Sequence, residues 1–411
     1  MISKRSVLVI LSLLMLMVMV SPLWAAEEKT KVTYWTWLSN QDLVDEFNKS
    51  HPNIQVEFIK MGSYDAQNKF LVALSSGTGA PDVIQIMLRQ FSLFTNSGKL
   101  VEMTDYVKDI KSQYARDLIE VVSYKSKIYG LPVNTSPAVI WYRRDVFKKY
   151  NIPVPVATWN DFVKAGEVLK KNGIFIMPLF NPAGSWGANA VVMFLQSRGG
   201  NIYTAKGKLI RNNKELEYVL QWVNNFNKNK LTDSITFFTP EFYGSLKTQF
   251  ACWPMNVAEG ANIKRYLPDM SGQWGVMPFP KWNDKKEQLT GYWGGTILTV
   301  PKQSKVKEAA LTFVKWVAGT VPGQVAAGKS AFAVPAYRPA LKDDFYTQGD
   351  PYFGNDNFYK MINPVKPIYY FDWAVTERVI GKHMDLMFAG KESPQQARAA
   401  IENELADETN R

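Results

Sequence analysis

From Lys31 onward the apolar positions recur with a period that alternates between two and 3.6 residues. Lys31–Trp37 (KVTYWTW) has strand composition, and Ser39 or Asn40 is placed to cap a helix whose Leu43, Val44 and Phe47 share one face. Ile54, Val56 and Phe58 alternate along a second strand. Ala66, Phe70, Ala73 and Leu74 mark a second helix that stops at Gly77, and Asp82–Met87 (DVIQIM) reads as a third strand. Strands separated by helices in this order require right-handed crossovers, hence an α/β protein with a parallel sheet covered by helices. Such sheets bind ligands beyond the carboxyl ends of their strands, which points to Trp35-Thr36-Trp37 and Gln85–Arg89.

Further on, Tyr129–Pro137 (YGLPVNTSP) is rich in turn formers and precedes the strand-like Ala138–Tyr142, so it reads as a connector. Thr158 and Asp161 form a capping box for a helix with Phe162, Ala165 and Leu169 inward. Ser304 is placed to cap another, and Ser393-Pro394-Gln395-Gln396 opens a last helix before a frayed end at Ala406–Arg411. At the other end, Lys4 and Arg5 precede the apolar run Val7–Val20, and Ser21-Pro22 with Leu23-Trp24-Ala25 supplies a break and a small residue. This pattern predicts a secretory signal over residues 1–25, because the run is shorter than the roughly 18 to 20 residues of a spanning helix.

Composition narrows the chemistry. With 46% hydrophobic and 21% charged residues over 411 positions, the chain is globular and long enough for more than one core. Cys252 is its one cysteine, which excludes an internal disulfide and leaves no thiol beside the cleavage site for a lipid anchor. His51 and His383 are its two histidines, little material for zinc or a His-based triad. No glycine-rich phosphate loop, metal-spaced His/Cys set or nucleophile elbow is present, so no cofactor or metal is expected and a carrier fits better than a catalyst. Removing residues 1–25 lowers the formal charge from +11 to +9. That excess fits dispersed surface lysines or an anionic solute such as a uronate or a phosphorylated polyol. It does not fit nucleic acid, for which no motif or basic stripe interleaved with aromatics is present.

Several ordered segments carry a resemblance. Phe47–Glu57 (FNKSHPNIQVE), Gly77–Ile84 (GTGAPDVI), Lys127–Val133 (KIYGLPV), Trp141–Phe147 (WYRRDVF), Thr158–Phe162 (TWNDF), Gly294–Pro301 (GGTILTVP) and Gly390–Pro394 (GKESP) resemble the sugar-type, maltose-binding-protein-like solute-binding proteins of bacterial ABC importers. The chain departs from the usual pattern at Arg143-Arg144, where Asn-Lys is common, and at Asn151, where Gly is common. The resemblance implies a two-lobed periplasmic binding protein fold with a hinge of two or three crossing segments, here near Leu131–Ala138, Gly291–Leu298 and Phe332–Arg338. Lobe one then comprises 26–135 and 293–333, and lobe two 136–292 and 334–411. It implies a periplasmic or secreted monomer that takes a carbohydrate in the interlobe cleft, closes on it, and delivers it to a membrane permease.

Sugar rings need aromatic plates against their C–H faces and planar polar groups around their edges. The loop tryptophans Trp37, Trp186, Trp253, Trp293 and Trp373, with Tyr292 and Tyr370 behind them, are the candidate plates, although a loop Trp can equally cap a core. Asp82, Gln85, Asn134, Asn189, Arg338 and Asp372 are the polar candidates. Asp82 also has a structural reading at its strand start, and Arg338 and Asp372 a reading as surface ion pairs. A secreted glycoside hydrolase is the rival from another class; it requires two opposed carboxylates about 5 to 10 Å apart.

Overall fold

The computed structural model describes residues 29–180, 185–204, 207–364 and 373–409, so the expected signal segment lies outside the described residues. Its strands are β1 (Thr30–Thr36), β2 (Ile54–Lys60), β3 (Val83–Met87), β4 (Ser123–Tyr124), β5 (Lys127–Ile128) and β6 (Leu131–Arg143). There follow β7 (Met177–Phe180), β8 (Thr232–Ile235), β9 (Cys252–Asn256), β10 (Trp274–Met277), β11 (Tyr292–Thr299) and β12 (Val334–Pro335). β1 pairs in parallel with both β2 and β3, with Thr30 opposite Ile54 and Tyr34 opposite Val83. The helices Gln41–Ser50 and Ser63–Ser76 connect these strands and bury the expected apolar faces, Phe47 at the centre of one and Phe70 of the other. Gly77 ends the second helix at φ +80°, the left-handed region that favours glycine.

The capping expectations divide. Thr158 accepts from Asp161 N–H at 3.2 Å, and Ser393 and Gln396 exchange bonds of 2.8 and 3.2 Å, as the spacing requires. Asn40 does not cap its helix; its buried amide donates to Tyr34 Oη at 3.1 Å and braces β1 instead. Ser304 also departs, because its hydroxyl donates to Asp82 Oδ1 at 2.7 Å and the helix it precedes starts only at Lys307.

Tyr129–Pro137, read as a connector, is extended despite its turn formers: its last seven residues open β6, a strand of 13 residues that runs through both halves of the molecule. Leu131–Thr135 pair with β11 and β12, whereas Ala138–Arg143 pair with β9 and β10. Proline cannot donate to a ladder, so it survives in a strand only at edges or irregularities. Here the register of β11 against β6 shifts between Tyr292 and Gly295 and again between Thr296 and Ile297, beside Pro137 and Pro132 respectively. The extended backbone of proline is thus accommodated where the ladder is already broken. β6, β11 and β12 are the three crossings that the resemblance implied.

Two hydrophobic cores lie on either side of these crossings. The first gathers β1, β2, β3 and the early part of β6 around Phe47, Phe70, Ile84, Phe91, Ile297 and Phe313. The second is aromatic, with Trp159 ringed by Phe162, Phe194, Trp222, Phe279 and Trp282 at centroid distances of 5.0 to 5.4 Å. After β12 the chain stays on the first core for longer than the boundary at residue 334 implied. Ala336 is part of that core, and Tyr346 Oη donates to Gln324 O at 2.8 Å; Tyr352, Phe353 and Phe358 then join the second core.

Close packing at the crossing depends on glycine. A Cβ on Gly295 would stand 2.5 Å from Asn134 O, a backbone atom that cannot turn aside, and one on Gly291 would stand 2.1 Å from Met193 O. Gly295→Ala should therefore lower stability by about 1 to 3 kcal/mol in thermal or urea melts. Gly244→Ala, at an exposed position of the helix Pro240–Thr248 with open space around the added methyl, should instead raise it by about 0.5 to 1 kcal/mol.

Candidate functional site

The two cores enclose a cleft of about 480 Å³ that abuts the crossing strands. Its first wall is built from strand ends, as the sheet topology requires. Trp37 and Leu38 follow the carboxyl end of β1, Met87 ends β3, and Arg89 follows it. Asn134 and Ser136 on β6 and Trp293–Thr296 on β11 form the floor. The second wall comes from Phe238, Asn256 at the end of β9, and the helix Glu259–Tyr266, which presents Glu259, Asn262 and Arg265 at helical spacing.

Trp37 is held from beneath. Thr36 Oγ1 accepts from Leu38 N–H at 3.1 Å and donates to Gln85 Oε1 at 2.6 Å, while Tyr34 Oη donates to the same oxygen at 3.2 Å. Trp293 is buried at the floor, and its carbonyl accepts from Arg89 Nη1 at 3.2 Å. Gly294 follows it at φ +142°, where a Cβ would lie 3.2 Å from that same guanidinium nitrogen. A third lining ring, Phe238, is half-buried and has φ +66°, an uncommon backbone for a bulky residue of the kind found where function constrains a loop. Opposite the tryptophans, Asn262 Nδ2 donates to Glu259 Oε2 at 2.8 Å and Asn256 Nδ2 to Oε1 at 3.4 Å.

Of the residues singled out from sequence, the structure brings Trp37, Asn134 and Trp293 together in this cleft. The others with described side chains lie elsewhere. Asp82 accepts from Thr33 N–H and Oγ1 at 2.9 and 2.8 Å and from Ser304, so it ties β1 to the start of β3. Gln85 is buried behind Trp37 as a brace. Asn189 donates to Glu377 Oε1 at 3.0 Å between the helices Ser185–Ser197 and Trp373–Phe388. Trp253 and Trp373 belong to the second core, Trp253 with its ring 4.9 Å from Phe242. Tyr292 N–H donates to Gln196 Oε1 at 2.8 Å at the entry of β11, outside the cleft lining. Arg338 lies on the far side of the first lobe, donating to Ser112 O and Gln113 O at 2.7 and 3.1 Å. Asp372 and Tyr370, and the side chain of Trp186, lie outside the described residues.

Sequence reasoning missed Arg89, Phe238, Asn256, Glu259 and Asn262. Arg89 lay inside the segment flagged after β3, so topology had found its address without its role. The second wall obeys the same rule: Asn256 ends a strand and Glu259 starts the following helix, a pattern legible in CWPMN followed by EGANIKRY had that strand been read. Among the described residues no group of three or more His, Cys, Asp or Glu could hold a metal, and no helix is long and apolar enough to cross a membrane.

Burial pushes the Glu259 carboxyl from its ordinary 4.5 up to about 7, and the bonds from Asn262 and Asn256 only partly offset this. The folded protein therefore keeps a proton that the unfolded chain releases. Stability should fall as pH rises from about 4.5 to about 7 and level off above that. Glu259→Gln, which cannot ionise, should melt close to wild type near pH 5 and above it near pH 8, by at most about 3 kcal/mol, in ligand-free melts across that range. An offset that does not change with pH would show the carboxyl to be ionised throughout.

The chain is similar to known proteins over most of its length. The arabinooligosaccharide-binding protein of Bacillus subtilis is 26% identical to this chain, with 98% of this chain and 99% of that protein covered. The lactose-binding protein of Rhizobium radiobacter is 22% identical, with 69% of each chain covered. Among solved structures, the ABC transporter associated binding protein of B. animalis subsp. lactis in complex with β-1,6-galactobiose has a TM-score of 0.78 at 20% identity, covering 93% of this chain and 98% of that one. The galacto-N-biose-/lacto-N-biose I-binding protein of Bifidobacterium longum, in complex with lacto-N-biose, has a TM-score of 0.77 at 22% identity, covering 92% and 96%. These likenesses identify the two-lobed periplasmic binding protein fold. The match to the bacterial extracellular solute-binding proteins runs from residue 39 to residue 324, across both cores and the cleft between them, and the chain belongs to that family.

Proposed function

We propose that the protein is the extracytoplasmic carbohydrate-binding component of a bacterial ABC importer, gripping a mono- or oligosaccharide between its lobes and releasing it unaltered to a membrane permease. The observation that carries this reading is the gathering of Trp37, Trp293 and Phe238 in one cleft edged by amides and charged groups. Indole and phenyl faces match the C–H faces of sugar rings, and Asn134, Asn256 and Asn262 are planar groups able to both donate to and accept from hydroxyls. The sugars named for the relatives and in the solved complexes support it.

Carriage rather than hydrolysis is supported by the cleft's acids. A glycosidase sets two carboxyl groups around the bond it cleaves, whereas Glu259 is the single acidic residue among the described residues lining this cleft. The leader-like residues 1–25 support export by a cleaved signal, and the single buried Cys252 suits an oxidising compartment. A monomer with no nucleic-acid partner completes the reading.

Thermal-shift screening against arabino-, galacto- and malto-oligosaccharides, with acidic and amino sugars in the same panel, should raise the melting point for at least one neutral member by mass action. Against that ligand, Trp37→Ala should weaken binding roughly 5- to 150-fold in calorimetry with stability little changed, and Trp293→Ala should weaken it as much and also lower stability, because its ring packs in the second core. Trp253→Ala should instead cost about 3 to 5 kcal/mol of stability, because it empties a core position. Wild-type affinity in both cleft variants would remove the plates from the site.

A further inference from the structure

Arg89 and Glu259 in the cleft differ from the buried charges Arg198, Arg143 and Glu402. The fold compensates these three: Arg198 is held by Glu215 at 2.6 Å and Asp284 at 2.7 Å, Arg143 by Asp145 at 2.6 Å, and Glu402 by Arg398 at 3.2 Å. Arg89, 5% exposed, has no ion-pair partner among the described residues. Its Nε makes no hydrogen bond, and its Nη atoms reach only Trp293 O at 3.2 Å and Tyr64 Oη at 3.5 Å. Glu259, 8% exposed on the opposite wall, also has no cationic partner and is met by two amides alone. Arg265 lines the same cleft but is exposed, where water screens it.

We infer that Arg89 and Glu259 act as a two-sided charge filter that admits uncharged, polyhydroxylated solutes and rejects both their acidic and their amino counterparts. This rests on the carbohydrate-binding reading and sharpens it. A hydroxyl can accept from the guanidinium and donate to the carboxylate, so a neutral sugar satisfies both walls at once. A uronate gains on Arg89 but sets its carboxylate against Glu259, and an amino sugar sets its ammonium against Arg89. In a water-excluded site, a like-charge contact costs more than an added hydrogen bond returns. Uncompensated buried charge is costly to the empty protein, and a neutral solute bridging the two walls relieves it on both sides.

The test is calorimetry at about pH 8, where Glu259 is ionised, on wild type, Glu259→Gln and Arg89→Gln. The probes are galactobiose, digalacturonate and the galactosamine disaccharide, together with whichever neutral oligosaccharide the thermal screen selects and its acidic and amino forms. Wild type should favour the neutral probe over both charged ones by at least about tenfold. Glu259→Gln should narrow the gap to the acid alone, and Arg89→Gln the gap to the amino sugar alone, each by about tenfold, with melting curves showing that both variants fold. A wild type that binds a charged probe as tightly as the neutral one overturns the filter and leaves the carbohydrate-binding reading standing. Both variants weakening all three probes equally overturns it too, since the residues would then be general contacts. Binding to no saccharide of any charge overturns both readings together.

Discussion

The molecule depends on one continuous hydrogen-bonded strand. β6 contributes its first half to one core and its second half to the other, with β11 and β12 laid against it, so the lobes are coupled through backbone ladders rather than a flexible linker. A ladder of this kind resists stretching and shear, yet it is interrupted by the register shifts beside Pro132 and Pro137 and by Gly294 at φ +142°. Those interruptions lie where the floor of the cleft is built. Rigidity of the lobes and compliance of the crossing thus come from the same three segments, which is what hinge closure requires.

The floor also determines what the cleft can hold. Because Gly295 and Gly291 let β11 approach Asn134 and Met193 at distances no side chain tolerates, Trp293 is set deep and Arg89 is drawn onto its carbonyl. The upper wall is positioned by a separate chain of contacts, with Trp141 Nε1 donating to Asn256 O at 3.1 Å and Asn256 Oδ1 accepting from Ala258 N–H at 2.9 Å before the helix that carries Glu259. Each wall is thus positioned by its own set of contacts. A site so divided suits a ligand that makes simultaneous demands on both sides.

Tryptophan placement shows how far a linear reading extends. Trp37 and Trp253 both read from sequence as loop tryptophans, and the linear reading does not separate them. Trp37 stands past the carboxyl end of β1 and reaches the cleft, whereas Trp253 points from the middle of β9 into Phe237 and Phe242. Asp82 and Arg338 diverge from expectation for a similar reason. Both were near segments that matter, but Asp82 faces β1 and Ser304, and Arg338 faces away toward Ser112 and Gln113.

Period, caps and punctuation in the sequence determined the α/β class and the parallel pairing of β1, β2 and β3, while the segments where the lobes exchange chain came from the family resemblance. The class and the pairing follow from local sterics and from burial along a single element, which the linear pattern encodes directly. The continuity of β6 through two prolines, the selection of Trp37 and Trp293 from thirteen tryptophans, and the placement of Arg89 and Glu259 in the lining of one cleft were decided only by tertiary structure. Each depends on the relative placement of segments far apart in the chain, fixed by the packing of two cores against a shared ladder, and no local pattern carries that distance.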